Sequence, residues 1–486
     1  MTNICDAFKF RSPSLVNLSV PAPMAGAIDP FYLYDELILS SSNVIRLLPS
    51  SVRNWLTRRP GMSRIAANTG WFMADRVTRG AIGVLFGILI ARALGPTAFG
   101  QLGFAQALTA ISGVFALLGL ETMVVRDIVR EPQRAGEVLG SAAILRFAGS
   151  LFGFAAAMVA IQILRPHDPQ SLQLAAVLAA GSLFQASDVI ELYFQATSKF
   201  RLTAIVRICA CLVNALLRVG LLLSGASVVA FAWAFTFEIA IGALLLWFLY
   251  RKTGGRRWMI RLDRIRKLAS DAWPLAVSAL IIMIYMRIDQ LMLGQFLGPE
   301  VLGVYMAAVR LTEMWYVLPI ALAASAFPHI VAARERSNDA FLDAIYGLYR
   351  ILGAVALLLA IVLALASDRI VALLYGAQYS GSAEVLRIYA WATIPVFLGM
   401  ASERYLIASG HSGVALVRTV VGFATNVSLN LLLIPRMGAA GAAWATAASY
   451  FVSVFSLLAW PAHRSQVGLM LLALLQRPQR NSYASS

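Results

Sequence analysis

Ionisable side chains lie inside stretches of this sequence that are otherwise apolar. The basic members are Arg76, Arg79, Arg146, Arg207, Arg218, Arg287, Arg310, Arg350, Arg404 and Arg418, and the acidic members are Asp75, Asp188, Glu191, Glu238, Asp289, Glu313 and Glu403. A charge at the centre of a bilayer costs from about 2.5 kcal/mol upward, so such side chains normally face a partner or a water-filled cavity. Because the basic members outnumber the acidic ones, we predict a cavity with a surplus of positive charge.

A surplus of guanidinium groups in a wet cavity is suited to an anionic group, above all phosphate. Guanidinium donates two parallel hydrogen bonds to phosphate oxygens, which the compact ammonium group of lysine does not. We predict that the substrate-binding residues are Arg146, Arg218, Arg287 and Arg310, because they lie deepest in the apolar stretches or next to a repeated turn described below. These residues alone do not distinguish a phosphate compound from other organic anions.

Each arginine also has a structural interpretation. Asp75 and Arg79 are four residues apart, and Arg310 and Glu313 are three apart, which is the spacing of ion pairs on one helix face. Arginines near the ends of the apolar stretches can instead extend their charged groups to the membrane surface. Those in such positions are Arg76, Arg207 and Arg350.

Carboxylates in the same stretches are candidates for ion coupling. The sequence has no G-x-x-x-x-G-K-[ST] phosphate loop for ATP, so transport against a gradient would be coupled to an ion such as H+ or Na+. The candidates for this role are Asp289, Asp188, Glu191 and Glu238, of which Glu238 is the single acid of its stretch. Two alternatives stay open: these acids are structural partners of nearby arginines, or downstream polymerisation drives transport without an ion.

Long apolar helices are the elements that must position these residues. Apolar residues make up 59% of the 486 residues and charged residues 13%, against roughly 45–50% and about 25% in soluble domains. About twelve stretches have the length of about 20 residues that crosses a hydrocarbon core. They cover 71–93, 101–121, 141–164, 171–197, 203–224, 227–250, 272–296, 303–327, 342–366, 385–408, 412–434 and 439–461. Their Ala and Leu content favours helices over barrel strands, so the predicted fold class is all-α and polytopic.

Lysine and arginine in the short loops predict the orientation. Basic residues concentrate in the loops that are cytoplasmic when the N-terminus is cytoplasmic, most of all in 251–271, and the opposite loops are nearly bare. Both termini are therefore predicted to be cytoplasmic, with 1–70 as an N-terminal extension and 462–486 as a tail. A short interfacial helix over 43–59 is predicted in the extension, with a disordered tail as the alternative. The net charge of +16 is explained without a nucleic-acid partner.

One turn occurs twice. Residues 94–100 read LGPTAFG and residues 297–303 read LGPEVLG, and each copy follows the first span of a set of six. Glycine ends a helix and proline starts the next without needing an N–H partner. Because six is even, both sets enter the membrane in the same direction, which predicts two parallel six-helix bundles, 71–250 and 272–461, around a central cavity. The alternative is that L-G-P is simply a good tight turn.

Four segments carry a family resemblance. ARALGPTAFGQLGFAQAL (91–108), ELYFQATSKFRLTAI (191–205), IDQLMLGQFLGPEVLGVYMAAVRL (288–311) and NVSLNLLLIPRMGAAGAAWATAAS (426–449) resemble, in this order and spacing, the polysaccharide flippases of the multidrug/oligosaccharidyl-lipid/polysaccharide exporter superfamily. The resemblance covers about residues 70 to 460, and the first 70 residues depart from the family pattern. Asn426 and Asn430, in the last segment, are interpreted as helix-packing residues.

The resemblance implies a function. Family members move polyprenyl-diphosphate-linked oligosaccharides across the bacterial inner membrane for exopolysaccharide, capsule or O-antigen synthesis. It therefore implies membrane lipids and a lipid-linked oligosaccharide as partners, with a polysaccharide polymerase and chain-length proteins as further ones. Alternating access between the two bundles is the expected mechanism.

Other functional classes fit less well. A peptidoglycan-precursor flippase would carry the same diphosphate and stays an alternative. A polysaccharide polymerase or ligase is a further alternative, but it would be expected to carry a large outer loop with catalytic groups, whereas the predicted outer loops are all short. An exporter of cationic drugs is disfavoured by the positive cavity. No enzyme activity, cofactor or metal site is expected, because the cysteines (Cys5, Cys209, Cys211) and histidines (His167, His329, His411, His463) lack ligand spacing.

Overall fold

The computed structural model describes residues 60–475, and within this range the chain is helical, with short turns and no strand. The helices are α1 (Pro60–Leu117), α2 (Glu121–Arg130), α3 (Ala135–Leu164), α4 (Pro169–Phe184), α5 (Val189–Ala196), α6 (Phe200–Leu223), α7 (Val228–Lys252), α8 (Leu262–Glu313), α9 (Val317–Arg336), α10 (Asn338–Leu365), α11 (Ser367–Leu374), α12 (Ser382–Tyr389), α13 (Thr393–Ala408), α14 (Ser412–Phe455) and α15 (Arg464–Leu474). The prediction of an all-α fold is confirmed. The helix predicted over 43–59 lies outside the described residues.

Nine helical segments of residues 60–475 are long and apolar enough to cross a membrane. They are Met73–Arg130, Pro132–Leu164, Pro169–Ala196, Phe200–Leu223, Val228–Lys252, Leu262–Arg336, Asn338–Leu365, Ser382–Ala408 and Gly413–Ala459. A span needs about 20 residues, so the chain is a multi-pass membrane protein, as predicted. Three of these segments are interrupted by a non-helical glycine, and the count of twelve separate spans stays a prediction.

The interruptions in α1 and α8 are the two L-G-P turns. Gly95 has φ 75° and Gly298 has φ 85°, values that side chains with a Cβ rarely adopt. The proline that follows each glycine disfavours the helical conformation at the residue before it. Each turn therefore ends one helical stretch and begins the next, which is the role that the sequence predicts for both copies.

The two halves of the chain share one hydrophobic core at the end of the molecule where the L-G-P turns lie, which we call the L-G-P end. Phe99 and Phe104 from the first half lie in the same buried cluster as Tyr305 and Tyr379 from the second. At the opposite end the cores are separate: one cluster draws on residues between 120 and 272, and another on residues between 316 and 473. The halves therefore share one core at the L-G-P end, whereas at the other end they have separate clusters, and only the start of α8 (Leu268, Ala272) packs into the cluster of the first half.

Hydrogen bonds between the halves complete the ends of the broken helices. Because Pro96 has no N–H, the carbonyl of Arg92 lacks its usual helical donor, and Gln378 Nε2 donates to it over 2.8 Å. Tyr379 Oη donates to the neighbouring carbonyl of Ala91 over 2.8 Å. These bonds satisfy backbone acceptors that the broken helix leaves free, of which the one at Ala91 is buried, and they fix the second half against the first.

The reverse arrangement occurs before the second turn. Arg165, at the end of α3, donates to the carbonyl oxygen of Gly294 over 2.7 Å, and Gln295 Nε2 donates to the carbonyl oxygen of Leu164 over 3.0 Å. Each half thus supplies hydrogen-bond donors to helix ends of the other half. These bonds hold the two halves together at the L-G-P end.

Candidate functional site

Two adjoining cavities lie between the halves. One is about 250 Å³ and is lined by residues of α1 and α8, and the other is about 400 Å³ and also reaches α6, α7 and Tyr375. They share Gln106, Arg310 and Glu313 as lining residues. The arginines that line them are Arg79, Arg218, Arg287 and Arg310. A hollow with several guanidinium groups is therefore present where the repeat predicts a central cavity.

Arg310 stands at the junction of the two cavities. Its NH2 donates to Gln106 Oε1 over 2.8 Å, and its guanidinium carbon lies 4.7 Å from the centre of the Phe99 ring. Both partners belong to the first half and both are uncharged. Among residues 60–475 no carboxylate oxygen lies within 4.0 Å of the Arg310 nitrogens, so its charge has no direct ion pair there.

The predicted pair of Arg310 with Glu313 is wrong. Glu313 instead lies 3.8 Å from NH1 of Arg287, which comes from the stretch of α8 before the second L-G-P turn. Arg310 instead donates to Gln106 of the facing half. The three-residue spacing of Arg310 and Glu313 therefore did not predict their partners, because Arg310 binds a residue of another helix.

The other two lining arginines carry carboxylate partners. Arg79 binds both oxygens of Asp75 at 2.7 Å, which confirms the predicted i,i+4 pair. Arg218 is 4% exposed and donates to Glu238 over 2.9 Å, while Asn214 donates to the same carboxylate oxygen. Glu238 is the single acid of its apolar stretch in α7, but it forms an ion pair with Arg218 of α6. This pair supports the alternative that Glu238 is a structural partner of an arginine.

Arg146 is not among the residues that line these cavities. Its side chain is 1% exposed, and the nearest carboxylate contact of its NH2 is with Glu121 at 4.0 Å. Its Nε and NH2 have no hydrogen-bond partner among the described residues. The structure brings Arg218, Arg287 and Arg310 together and leaves Arg146 apart, in α3.

Asp188 and Glu191 form one partly buried ion cluster with Arg207. The Arg207 guanidinium lies 2.7 Å from Asp188 Oδ1 and 2.8 Å from Glu191 Oε2. Arg207 therefore does not reach for the membrane surface, contrary to the sequence interpretation, because two carboxylates on the neighbouring segment compensate its charge. The same contacts favour a structural role for both acids.

Asp289 has a different environment. It is 3% exposed, and it accepts hydrogen bonds from Tyr305 Oη, from Thr446 Oγ1 at 3.3 Å and from the backbone N–H of Gln290 at 2.7 Å. Within the described part of the chain no lysine, arginine or histidine nitrogen lies within 4.0 Å of its carboxylate. Asp289 is thus a buried acid with polar but uncharged neighbours.

A chain of polar side chains continues from Asp289 into α14. Asn426 Nδ2 donates to Thr446 Oγ1 over 3.3 Å, and Asn430 Nδ2 donates to Asn426 Oδ1 over 2.9 Å. The amide oxygen of Asn430 is buried and has no hydrogen-bond partner among residues 60–475. A buried carboxylate without a cationic partner is a group that can take up a proton or a hard monovalent cation. No group of three or more His, Cys, Asp or Glu side chains suited to a metal occurs in the described range.

Sequence reasoning missed several of these residues. Gln106, Tyr305 and Thr446 were not singled out, although a polar side chain in an apolar stretch is the signal that identifies them. The interpretation of Asn426 as a residue that binds a neighbouring helix agrees with its hydrogen bonds to Thr446 and Ser449 beyond the break at Gly438, but its link through Thr446 to Asp289 was not predicted. The i,i+4 spacing of Asn426 and Asn430 indicated a shared helix face but not which side chains that face would meet.

Family models match both halves of the chain. Residues 65–334 match the family described as polysaccharide biosynthesis protein, and residues 274–432 match the MatE family. A curated relative, the "Probable low-salt glycan biosynthesis flippase Agl15" of Haloferax volcanii, is 27% identical over 171 residues. That alignment covers 35% of this chain and 36% of the relative's length.

Solved structures share the fold. An inward-facing multidrug resistance MATE family transporter of the MOP superfamily has a TM-score of 0.65 at 16% identity, over 81% of this chain and 95% of that chain. The Lipid II flippase MurJ in an inward closed conformation has a TM-score of 0.65 at 14% identity, over 85% of this chain and 94% of that chain. At these identities the likeness establishes the fold.

Proposed function

The chain belongs to the polysaccharide biosynthesis protein family, and from this premise we propose that it is a flippase for a lipid-linked oligosaccharide. The substrate is a polyprenyl-diphosphate-linked glycan, moved from the inner to the outer leaflet of the bacterial inner membrane for exopolysaccharide, capsule or O-antigen synthesis. Both termini are cytoplasmic in this proposal. The flippase function given for a relative of partial coverage supports it.

Arg310 is the observation that carries the proposal. It lies where the two cavities meet and has an uncharged hydrogen-bond partner, so its positive charge is available to a ligand. Arg287 and Arg218 line the same hollow and keep carboxylate partners. We assign the first contact with the diphosphate to Arg310, because a desolvated guanidinium gains most from a phosphate oxygen.

Alternating access is the mechanism that fits this architecture. The halves share a core and hydrogen bonds at the L-G-P end and have separate cores at the other. In our proposal the diphosphate-sugar head enters from the separate, cytoplasmic end while the polyprenyl tail stays in lipid. The L-G-P end then parts to release the head group outward.

Ion coupling is proposed to run through Asp289. Its carboxylate is buried without a cationic partner in the described range, and the unpaired amide oxygen of Asn430 ends the polar chain that leads from it. Binding of H+ or Na+ would remove the cost of a buried uncompensated charge. Asp188, Glu191 and Glu238 already have arginine partners. We therefore rank them below Asp289 as candidates for ion coupling.

Reconstitution of the full chain tests the proposal. Proteoliposomes would be loaded with a fluorescent polyprenyl-diphosphate oligosaccharide, and the fraction of probe that a membrane-impermeant reductant bleaches would be followed over time. We expect the protein to speed equilibration between leaflets, and rates equal to protein-free vesicles would refute the function. A peptidoglycan lipid precursor, tested in parallel, decides between the two flippase alternatives.

The deletion strain gives a second test. Loss of a flippase should leave the complete lipid-linked unit on the inner leaflet, whereas accumulation on the outer leaflet would identify a polymerase. Export of unchanged polysaccharide from the deletion strain would contradict both.

A further inference from the structure

The segment 256–262, which runs from the connection after α7 to the first residue of α8, is held against the start of α3. The backbone N–H of Met259 donates to the carbonyl oxygen of Gly136 over 3.0 Å, and the N–H of Arg261 donates to Ser141 Oγ over 3.3 Å. A Cβ at Gly140 would lie 2.5 Å from the carbonyl oxygen of Met259, so only glycine permits this approach. The backbone is fixed towards α3, and the side chains of the segment point elsewhere.

Apolar side chains dominate the exposed surface of this segment. The exposed fractions are 39% for Trp258, 50% for Met259, 63% for Ile260 and 62% for Leu262. A row of large apolar side chains on a connection between helices is unfavourable in water and marks an interaction surface. Because hydrogen bonds to α3 fix the backbone, these side chains cannot rotate into the protein interior.

The length of α3, against which the segment packs, indicates the depth of the segment in the bilayer. The candidate span Pro132–Leu164 has 33 residues, which is roughly 50 Å of helix, whereas the hydrocarbon core is about 30 Å thick. About 10 Å at each end, or roughly the first seven residues, therefore lies in the headgroup region; Gly136 falls within it, and Gly140 and Ser141 lie just past its inner limit. The segment runs along the boundary between water and lipid.

Positive charge accompanies the apolar row. Arg257 and Arg261 are exposed, as are Arg266 and Lys267 in the first turns of α8. Arg261 lies 3.6 Å from Glu137, whereas within residues 60–475 Arg257 has no carboxylate within 4.0 Å. Arg256 points the other way and donates to the carbonyl oxygen of Gln133 over 2.9 Å.

We propose that the 256–262 segment is a binding surface for anionic phospholipid. The apolar side chains enter the boundary of the acyl chains, and the arginines on either side bind headgroup phosphates. Apolar groups flanked by basic ones are suited to an anionic membrane surface, where each basic residue adds attraction to the negative leaflet. A soluble acidic partner would satisfy the charges but would leave the apolar row in water. This surface is separate from the cavities and does not depend on the proposed transport function.

Site-specific fluorescence tests immersion of the apolar row. The full chain with its cysteines replaced by serine would carry Ile260→Cys labelled with an environment-sensitive dye, in lipid nanodiscs. The control label, Glu335→Cys, lies at an exposed position in the last turn of α9. We expect lipids with a nitroxide near the headgroup to quench the dye at 260 and aqueous iodide to quench the dye at 335. Iodide quenching of equal strength at both positions would overturn the proposal.

Lipid competition tests the charge requirement. Native mass spectrometry of the purified chain would compare binding of phosphatidylglycerol and phosphatidylcholine. We expect a preference for phosphatidylglycerol that falls about fivefold for each arginine removed in Arg257→Gln and Arg261→Gln. The control pair Arg369→Gln and Arg436→Gln removes the same charge from exposed positions outside the segment. An equal loss in the control pair, or no lipid preference in the wild type, would refute the assignment.

Discussion

Gly100 of the first L-G-P turn lies directly against Pro299 of the second. A Cβ at Gly100 would be 1.7 Å from the carbonyl oxygen of Pro299, and in the reverse contact a Cβ at Gly303 would be 2.0 Å from the carbonyl oxygen of Pro96. Each repeat ends in glycine at the point where the backbone of the other repeat passes. The repeated string therefore encodes two turns that pack against one another.

Replacing Gly100 with alanine should force these turns apart. The methyl group meets backbone atoms, so relief requires movement of a whole turn, and we expect a loss of about 1–3 kcal/mol in the stability of the closed L-G-P end. Spin labels at the exposed positions Thr97 and Glu300 would report a longer distance between the turns. Gly113→Ala, also in α1, is the control, because nothing lies within 4 Å of its Cβ position. Unchanged distances in Gly100→Ala would contradict the packing argument.

Arg310→Ala should weaken substrate binding more than the substitution of an arginine on the protein surface. Loss of a charge-assisted hydrogen bond costs about 1.5–3 kcal/mol, which is roughly 10- to 100-fold in apparent affinity in the reconstituted assay. Arg310→Lys keeps the charge but not the planar fork, so we expect partial recovery. Arg387→Ala is the control, since it removes an exposed pair with Asp368. An affinity in Arg310→Ala equal to that of the control would remove Arg310 from the site.

Asp289→Asn should separate transport from its driving ion. The amide keeps the size of the side chain but loses the charge that a cation or proton compensates. We expect flipping in the variant to become independent of imposed H+ and Na+ gradients, with substrate affinity nearly unchanged. Asp368→Asn, an exposed position, serves as the matched control. Retained gradient dependence in Asp289→Asn would exclude this carboxylate from coupling.

Asp168 gives a prediction for pH. Burial alone would raise the pKa of its carboxyl group, but hydrogen bonds from Ser171 at the start of α4 and the charge of Arg165 hold the pKa below its ordinary value of 3.8. A lowered pKa means that the stabilisation is complete above pH 3.8 and is lost as the pH falls through the folded-state value. Asp168→Ala should cost about 1 kcal/mol near neutral pH, with a difference from wild type that shrinks in acid.

Thermal unfolding in detergent between pH 7 and pH 3 measures this effect. Asp343→Ala, at an exposed position inside α10, is the control for loss of one carboxylate. A difference between wild type and Asp168→Ala that stays constant down to pH 3 would show that the cap does not titrate.

Much of the architecture was accessible from local sequence. Apolar stretches of span length, the glycine and proline of each L-G-P turn, and the i,i+4 spacing of Asp75 and Arg79 are properties of neighbouring residues. Helix formation, helix termination and contacts on one helix face depend on those neighbours. For this reason the all-α class, both turns and the Asp75 pair were predicted correctly.

The partners of the ionisable residues were decided by tertiary structure. Glu313 could pair with Arg310 on its own helix or with Arg287 across the turn, and the sequence favoured the nearer one. The approach of the two halves brings Gln106 and Phe99 to Arg310 and leaves Glu313 with Arg287. Arg146 was grouped with the cavity arginines by depth alone, whereas the rotation of α3 keeps it out of the lining. Sequence determines which helices form and where they turn, but the angle and rotation of packed helices decide which charges meet, because those depend on contacts between residues far apart in the chain.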